Sequence, residues 1–153
     1  MAVTHSMFAA GLKNVINANL ANIGSSTTEQ LTLSLLTSAY VAAVDVSTDE
    51  WWSDILTHQV TSAYCGSTDY TTGVGGKTID GVSLATTGNA TLLLSSTDVV
   101  FTTTGSIKAY CGVSRATSYL VTFIDFDGEQ ESVDGTFRVN WNSSGLIRFT
   151  VTT

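Results

Sequence analysis

Gln30-Leu31-Thr32-Leu33-Ser34-Leu35-Leu36-Thr37 is the stretch on which the fold of this chain turns. Leu31, Leu33 and Leu35 alternate with Thr32 and Ser34, and successive side chains of a strand point to opposite faces. Residues 30–37 therefore read as a half-buried strand. Toward the C-terminus similar short apolar segments return, over residues 58–62, 77–85, 90–94, 99–103, 107–113, 119–126, 136–141 and 146–151. Gly73, Gly75-Gly76, Asp80-Gly81, Gly88-Asn89, Gly105, Asp127-Gly128, Asp134-Gly135 and Gly145 stand between most of them. Such residues tolerate the positive φ that turns demand. Eight or nine short strands at near-regular spacing predict an all-β protein, an antiparallel β-sandwich. A parallel sheet would need crossover helices, and the connections are too short for them.

The segment before the strand has a different period. Phe8, Leu12, Val15, Ile16, Leu20 and Ile23 recur at steps of three and four, with Lys13, Asn14, Asn17 and Asn22 off the stripe. Thr4 or Ser6 can cap the first turn, and Gly24 follows the last apolar residue. The pattern predicts one N-terminal helix over residues 4–23, packed on or beside a sandwich of residues 30–153. A chain of 153 residues then makes a single domain, 1–153. Residues 49–56 begin with Asp49 and Glu50 and crowd apolar residues together, which fits one helical turn or a short ordered loop.

Composition narrows the function classes. Six Lys and Arg against thirteen Asp and Glu give a net charge of −7. An acidic chain with scattered cations is a poor partner for nucleic acid. Apolar residues make up 43%, too many for a disordered chain. The sequence has no stretch of 18 apolar residues, so no membrane span is expected. Nor does the start, Met1 to Ser6, read as a secretory signal. The 25 threonines and 18 serines suit an uncharged pleated surface. Such a surface loses less side-chain entropy than Lys or Glu when another protein covers it.

Motifs that carry chemistry are weak or fail. Thr71-Thr72-Gly73-Val74-Gly75-Gly76-Lys77-Thr78 looks like a phosphate loop, but Thr71 stands where the first glycine belongs and no helix is expected after it. Asp125-Phe126-Asp127-Gly128-Glu129-Gln130-Glu131 gathers four carboxylates, yet Gln130 and Thr136 occupy the positions where a calcium loop needs Gly and Glu. It reads as an acidic hairpin turn. His5, His58, Cys65 and Cys111 lack zinc-ligand spacing. Cys65 and Cys111 are either small buried hydrophobes or a pair, and spacing leaves both open. Neither histidine has a recognisable nucleophile partner, so no catalytic residue, metal or cofactor is expected. Trp51 and Trp52 are adjacent, and in a strand or a helix both can scarcely enter one core. At least one of them is therefore either an interface residue or a partly buried cap over the sandwich edge.

Several segments, taken in order, resemble a family of small structural virion proteins of tailed bacteriophages. They are Gly11-Leu12-Lys13-Asn14-Val15, Leu35-Leu36-Thr37-Ser38-Ala39-Tyr40, Trp52-Ser53-Asp54, Gly75-Gly76-Lys77-Thr78, Asp98-Val99-Val100-Phe101, Ile124-Asp125-Phe126, and Gly135 to Asn142 followed by Ser144-Gly145-Leu146. Cys65 departs from a glycine-like turn in that pattern. The resemblance implies a small non-enzymatic β-sandwich, with no cofactor, whose partners are the major capsid protein or other virion subunits. It further implies a homo-oligomer, a trimer among the options. A net charge of −7 is repelled by packaged DNA, so the outer capsid surface or the tail is the expected place. The leading expectation is a decoration protein that bridges capsid subunits, with Trp51, Trp52, Phe8 and Leu12 at the interface. The alternative is a tail or head-fibre module that grips host glycans through Trp51, Trp52, Tyr70 and Tyr119.

Overall fold

A computed structural model describes residues 4–16, 31–60, 76–87, 91–95, 97–102, 106–116, 118–141 and 147–150. Among these residues there are ten strands and three short α-helices. In chain order they are β1 (Thr4–Met7), α1 (Ala9–Ile16), β2 (Leu31–Leu36), α2 (Ser38–Val41) and α3 (Trp52–Ile55), then β3 (Lys77–Thr78), β4 (Ser83–Thr87) and β5 (Thr91–Ser95). β6 (Val99–Thr102), β7 (Ser106–Ala116), β8 (Tyr119–Val133), β9 (Thr136–Val139) and β10 (Ile147–Thr150) complete the set. All strand pairs are antiparallel. The order β1-β8-β7-β2-β3 forms a five-stranded sheet, β10-β5-β4 a three-stranded one, and β6-β9 a ribbon. The all-β, sandwich-like class read from the sequence is the observed one.

The layering follows from residues that are apolar on both faces of the large sheet. Leu31, Leu33 and Leu35 of β2 join Ile107, Ala109, Val121, Ile124 and Phe126 in one core, closed by Val99, Phe101, Phe137 and Val139 of the ribbon. Leu36, on the same strand, faces the other way. It packs with Cys111, Val113, Leu120 and Phe123 beneath Phe8, Tyr40, Trp52 and Ile55 of the helical side. Each buried aromatic or aliphatic side chain contributes roughly 1.5–3 kcal/mol. Lys77 ties the sheet to the ribbon: its ammonium donates to the Val100 carbonyl at 2.6 Å and sits 5.9 Å from the Phe101 ring centroid. Ser114 and Thr122, opposite each other in the β7–β8 register, satisfy their buried hydroxyls mutually at 2.6 Å.

Four expectations need correction. The helix does not start at residue 4. Thr4–Met7 instead pairs with Asp125 to Thr122 of β8, because that edge offers unpaired peptide groups and Thr4-His5-Ser6 offers no apolar helical face. The helix begins at Ala9, and the remainder of the expected span, from 17 onward, lies outside the described residues. Second, the long segment 77–85 breaks at Asp80-Gly81, where Gly81 has φ 62°, into β3 and β4. Third, Asp127-Gly128 is not a hairpin turn. β8 continues for 15 residues through it. Ala109 pairs with Gln130 while Cys111 pairs with Asp125, so four residues, 126 to 129, bulge opposite Tyr110 alone. Asp127 (φ 57°) and Gly128 (φ 112°) supply the left-handed pair the bulge requires. Fourth, in the segment 58–62, Leu56–His58 is a 3-10 turn and Gln59 forms an isolated bridge with Leu36, while residues 61 and 62 lie outside the described residues.

Gly11 explains how closely α1 lies on the sheet. A Cβ there would stand 2.6 Å from the Leu120 carbonyl oxygen and 2.9 Å from the Val121 Cα. Only glycine lets the helix backbone approach β8 this far, which in turn seats Phe8 with no exposed surface.

Candidate functional site

The four expected interface residues part company. Phe8 is fully buried and Trp52 is 8% exposed, so both belong to the core under the helical side rather than to a surface. Leu12 is half-buried on α1. Trp51 alone is open, at 40% exposure. The adjacent tryptophans thus divide the work: Trp52 anchors, and Trp51 is displayed. Tyr119 joins it, with ring centroids 4.4 Å apart and planes tilted by 34°. Of the four aromatics named for glycan contact, these two meet; Tyr70 lies outside the described residues.

The backbone beneath this pair is pinned on both sides. Trp51 and Tyr119 form an antiparallel bridge. The Trp52 N–H donates to the Ser118 carbonyl at 2.7 Å, and the Leu120 N–H to the Glu50 carbonyl at 3.0 Å. Asp54, in the first turn of α3, reaches back: its Oδ2 accepts from the N–H groups of Trp51 (2.9 Å) and Glu50 (3.2 Å). That is the return arm of a capping box, although Trp51 stands where Ser or Thr would mark the motif in a sequence.

The loop leading into the shelf is equally tied. Asp45 Oδ1 accepts from the Ser47 hydroxyl at 2.7 Å and from the N–H groups of Ser47 and Thr48. Hydrogen bonds from Ser47 first, then Thr48, hold its carboxyl below the usual carboxylate range. The Tyr40 hydroxyl donates to Asp49 at 2.8 Å. Burial, then Asp49, keeps that phenol well above its ordinary range. His58, without a nucleophile beside it in the sequence reading, has its ring 5.5 Å from the ring of Tyr40.

A second feature lies at the opposite end of β8. Beyond Asp125, β8 pairs with β7 on one side, and β9 pairs with β6 on one side. Among the described residues no strand adjoins their other edges. A groove of about 410 Å³ is lined by Ile124, Phe126, residues 130–132 and residues 136–140. Of the acidic run expected to be a solvated turn, Glu131 lines this groove, while Glu129 lies with Lys108 and Tyr110 at a separate hollow beside Thr37 and Ser38. Glu129 accepts from the Tyr110 hydroxyl at 2.7 Å, and Glu131 and Glu129 flank the Lys108 ammonium at 3.2 and 3.6 Å. Glu131 first, then Glu129, raises the Lys108 pKa.

The remaining candidates are placed as follows. Lys77–Thr78 of the loop that looks like a phosphate binder is strand β3, and Gly76 (φ 113°) packs against the Leu33 carbonyl; residues 71–75 lie outside the described residues. Cys111 is a buried free thiol, pushed up to about 12 by burial and then by Asp125. Cys65 lies outside the described residues. Among the described residues no three His, Cys, Asp or Glu side chains gather as a metal ion would need. No helix among them is long and apolar enough to cross a membrane. No protein-family model, no curated protein and no solved structure matches this chain.

Proposed function

We propose that the protein is a structural subunit of a tailed-phage virion, a decoration protein that bridges major capsid subunits without catalysis of its own. The observation that carries this reading is the Trp51–Tyr119 shelf: a 40%-exposed tryptophan on a backbone fixed by bridge, cap and buried neighbour. An aromatic held rigid before binding loses little entropy when covered, and such residues dominate interface energies. The hydroxyl-rich, charge-poor composition and the −7 net charge support an outward-facing subunit. Many weak copies then act together on one shell. Their binding stabilises only the assembled state. Particles stripped of the protein should release DNA at lower temperature than particles to which it has been restored. Equal release with and without it would sink the role.

A second reading rests on the same aromatic pair. A stacked tryptophan and tyrosine can present an apolar face to a sugar ring, as a host-binding tail or fibre module would. A glycan array with the purified protein separates the two: saturable sugar binding lost in Trp51→Ala favours the fibre module.

A further inference from the structure

We propose that the Trp51–Tyr119 shelf receives an arginine from a basic segment of the partner protein, its guanidinium laid on the exposed rings and paired with the carboxylates beside them. This rests on the virion reading above and names the chemistry of the partner that docks there. The aromatic half of the site is the displayed pair, with ring centroids 4.4 Å apart on a backbone held by a bridge and two hydrogen bonds. An aromatic face attracts a cation placed within about 6 Å of its centroid. A planar, weakly hydrated guanidinium stacks on such a face better than an ammonium does.

The charge half is just as local. Asp45, Asp49, Glu50 and Asp54 place four of the thirteen Asp and Glu within ten residues, and residues 45–60 contain neither Lys nor Arg. Ion pairs among the described residues join Lys108 to Glu129 and Glu131, and Arg138 to Asp98, so none of them answers this charge. Asp45 and Asp49 are already engaged by Ser47, Thr48 and Tyr40. Glu50 and Asp54 are not fully used. The Glu50 carboxylate has no hydrogen bond or ion pair among the described residues. Asp54, exposed, uses Oδ2 on the N–H groups of Glu50 and Trp51, and its Oδ1 meets only the Ser53 hydroxyl, at 3.4 Å. With Oδ2 2.9 Å from the Trp51 nitrogen, this carboxylate is fixed beside the residue whose ring is displayed. Arginine matches both halves, because its plane covers a ring while its N–H groups fork onto a carboxylate. A purely apolar partner would cover Glu50 and Asp54 without pairing them, at a desolvation cost. An acidic one would be repelled.

The probe is a capped heptapeptide of Gly and Ser with Arg at its third and fifth positions, titrated into the full chain. The amide NMR signals of Trp51 and Tyr119 should shift saturably, and added salt should weaken the binding. The same peptide with Lys at both positions should bind about threefold more weakly, and with uncharged citrulline there it should not bind. The Glu50→Gln/Asp54→Asn variant keeps an acceptor for the backbone at 54, and circular dichroism checks its fold. It should lose about fivefold in affinity for the arginine peptide and about tenfold for stripped particles. Absent shifts at Trp51 and Tyr119, or equal binding of the citrulline peptide, overturn the proposal, and both are read on the unaltered protein. Shifts produced by methyl glycosides and not by the peptide name a sugar instead and also overturn it. If the variant loses the peptide yet binds particles at full strength, the particle presents no arginine to the shelf; the proposal then fails and the virion reading stands. Failure of the unaltered protein to bind any particle defeats the virion reading itself.

Discussion

Two glycines show how differently the same substitution acts. Gly11 has room for no Cβ, because the Leu120 carbonyl and Val121 Cα stand within 3 Å of it. Gly11→Ala should cost about 1–3 kcal/mol by forcing α1 off β8. Gly128 has open space for a Cβ but φ 112°, so Gly128→Ala should cost only about 1 kcal/mol of backbone strain. Urea denaturation of both variants checks the order, and an equal loss would refute the packing account. Cys111 provides a pH signature. Its folded pKa lies above the unfolded value, so the unfolded chain ionises first. Stability from this group is complete below about pH 8.5. It falls as pH rises toward about 12. Tyr40 acts in the same direction at still higher pH. Chemical denaturation from pH 8 to 11 should show the decline, and Cys111→Ala, though less stable at neutral pH, should show a shallower one. An unchanged slope would mean the thiol titrates freely.

At the scale of elements, the short helix α3 carries Trp51 on its shoulder. Asp54 accepts two backbone N–H groups there. Asp54→Ala should cost about 1 kcal/mol, a usual figure for a lost cap. It should also loosen the shelf, seen as stronger quenching of Trp51 fluorescence by acrylamide with Trp52→Phe/Trp141→Phe as the background. Asp54→Asn, which keeps an acceptor, should restore most of both. The leading Asp49 and Glu50 and the apolar cluster after them predicted a helical turn or short loop in residues 49–56, but not the cap by Asp54, because Trp51 stands where a Ser or Thr would mark a capping box. The bulge in β8 was not legible either. A left-handed Asp-Gly pair has the same local chemistry in a hairpin as in a bulge, and only the length of β7 opposite decides whether the chain turns back or continues.

For the whole molecule, two core layers on one sheet explain why the tryptophans separate. The helical side needs a large side chain at Trp52 to close over Cys111 and Phe123, and the next position back then faces solvent. Trp51→Ala should therefore leave global stability within about 0.5 kcal/mol. It should weaken particle binding by about 2 kcal/mol, roughly thirtyfold, if the shelf is an interface hot spot. Sedimentation with stripped particles beside thermal denaturation checks the two halves separately. Equal losses in stability and binding would mark Trp51 as merely structural.

The alternation in 30–37, the turn-forming glycines and the spacing of apolar segments were enough to specify an antiparallel, all-β protein, because a period of two is a local property of a strand. The same pattern could not say that Thr4–Met7 would leave the helix for an edge of β8, since that edge is built by residues more than a hundred positions away. Nor could it say which of Phe8, Leu12, Trp51 and Trp52 would be seen from outside. Exposure depends on which layer covers which face. Two register shifts, at Ala109/Cys111 and Ser114/Arg115, change which side chains face which layer along β7 and β8. Strand character was written in neighbours along the chain; facing, and with it the displayed aromatic pair, arose only from neighbours across the sheet.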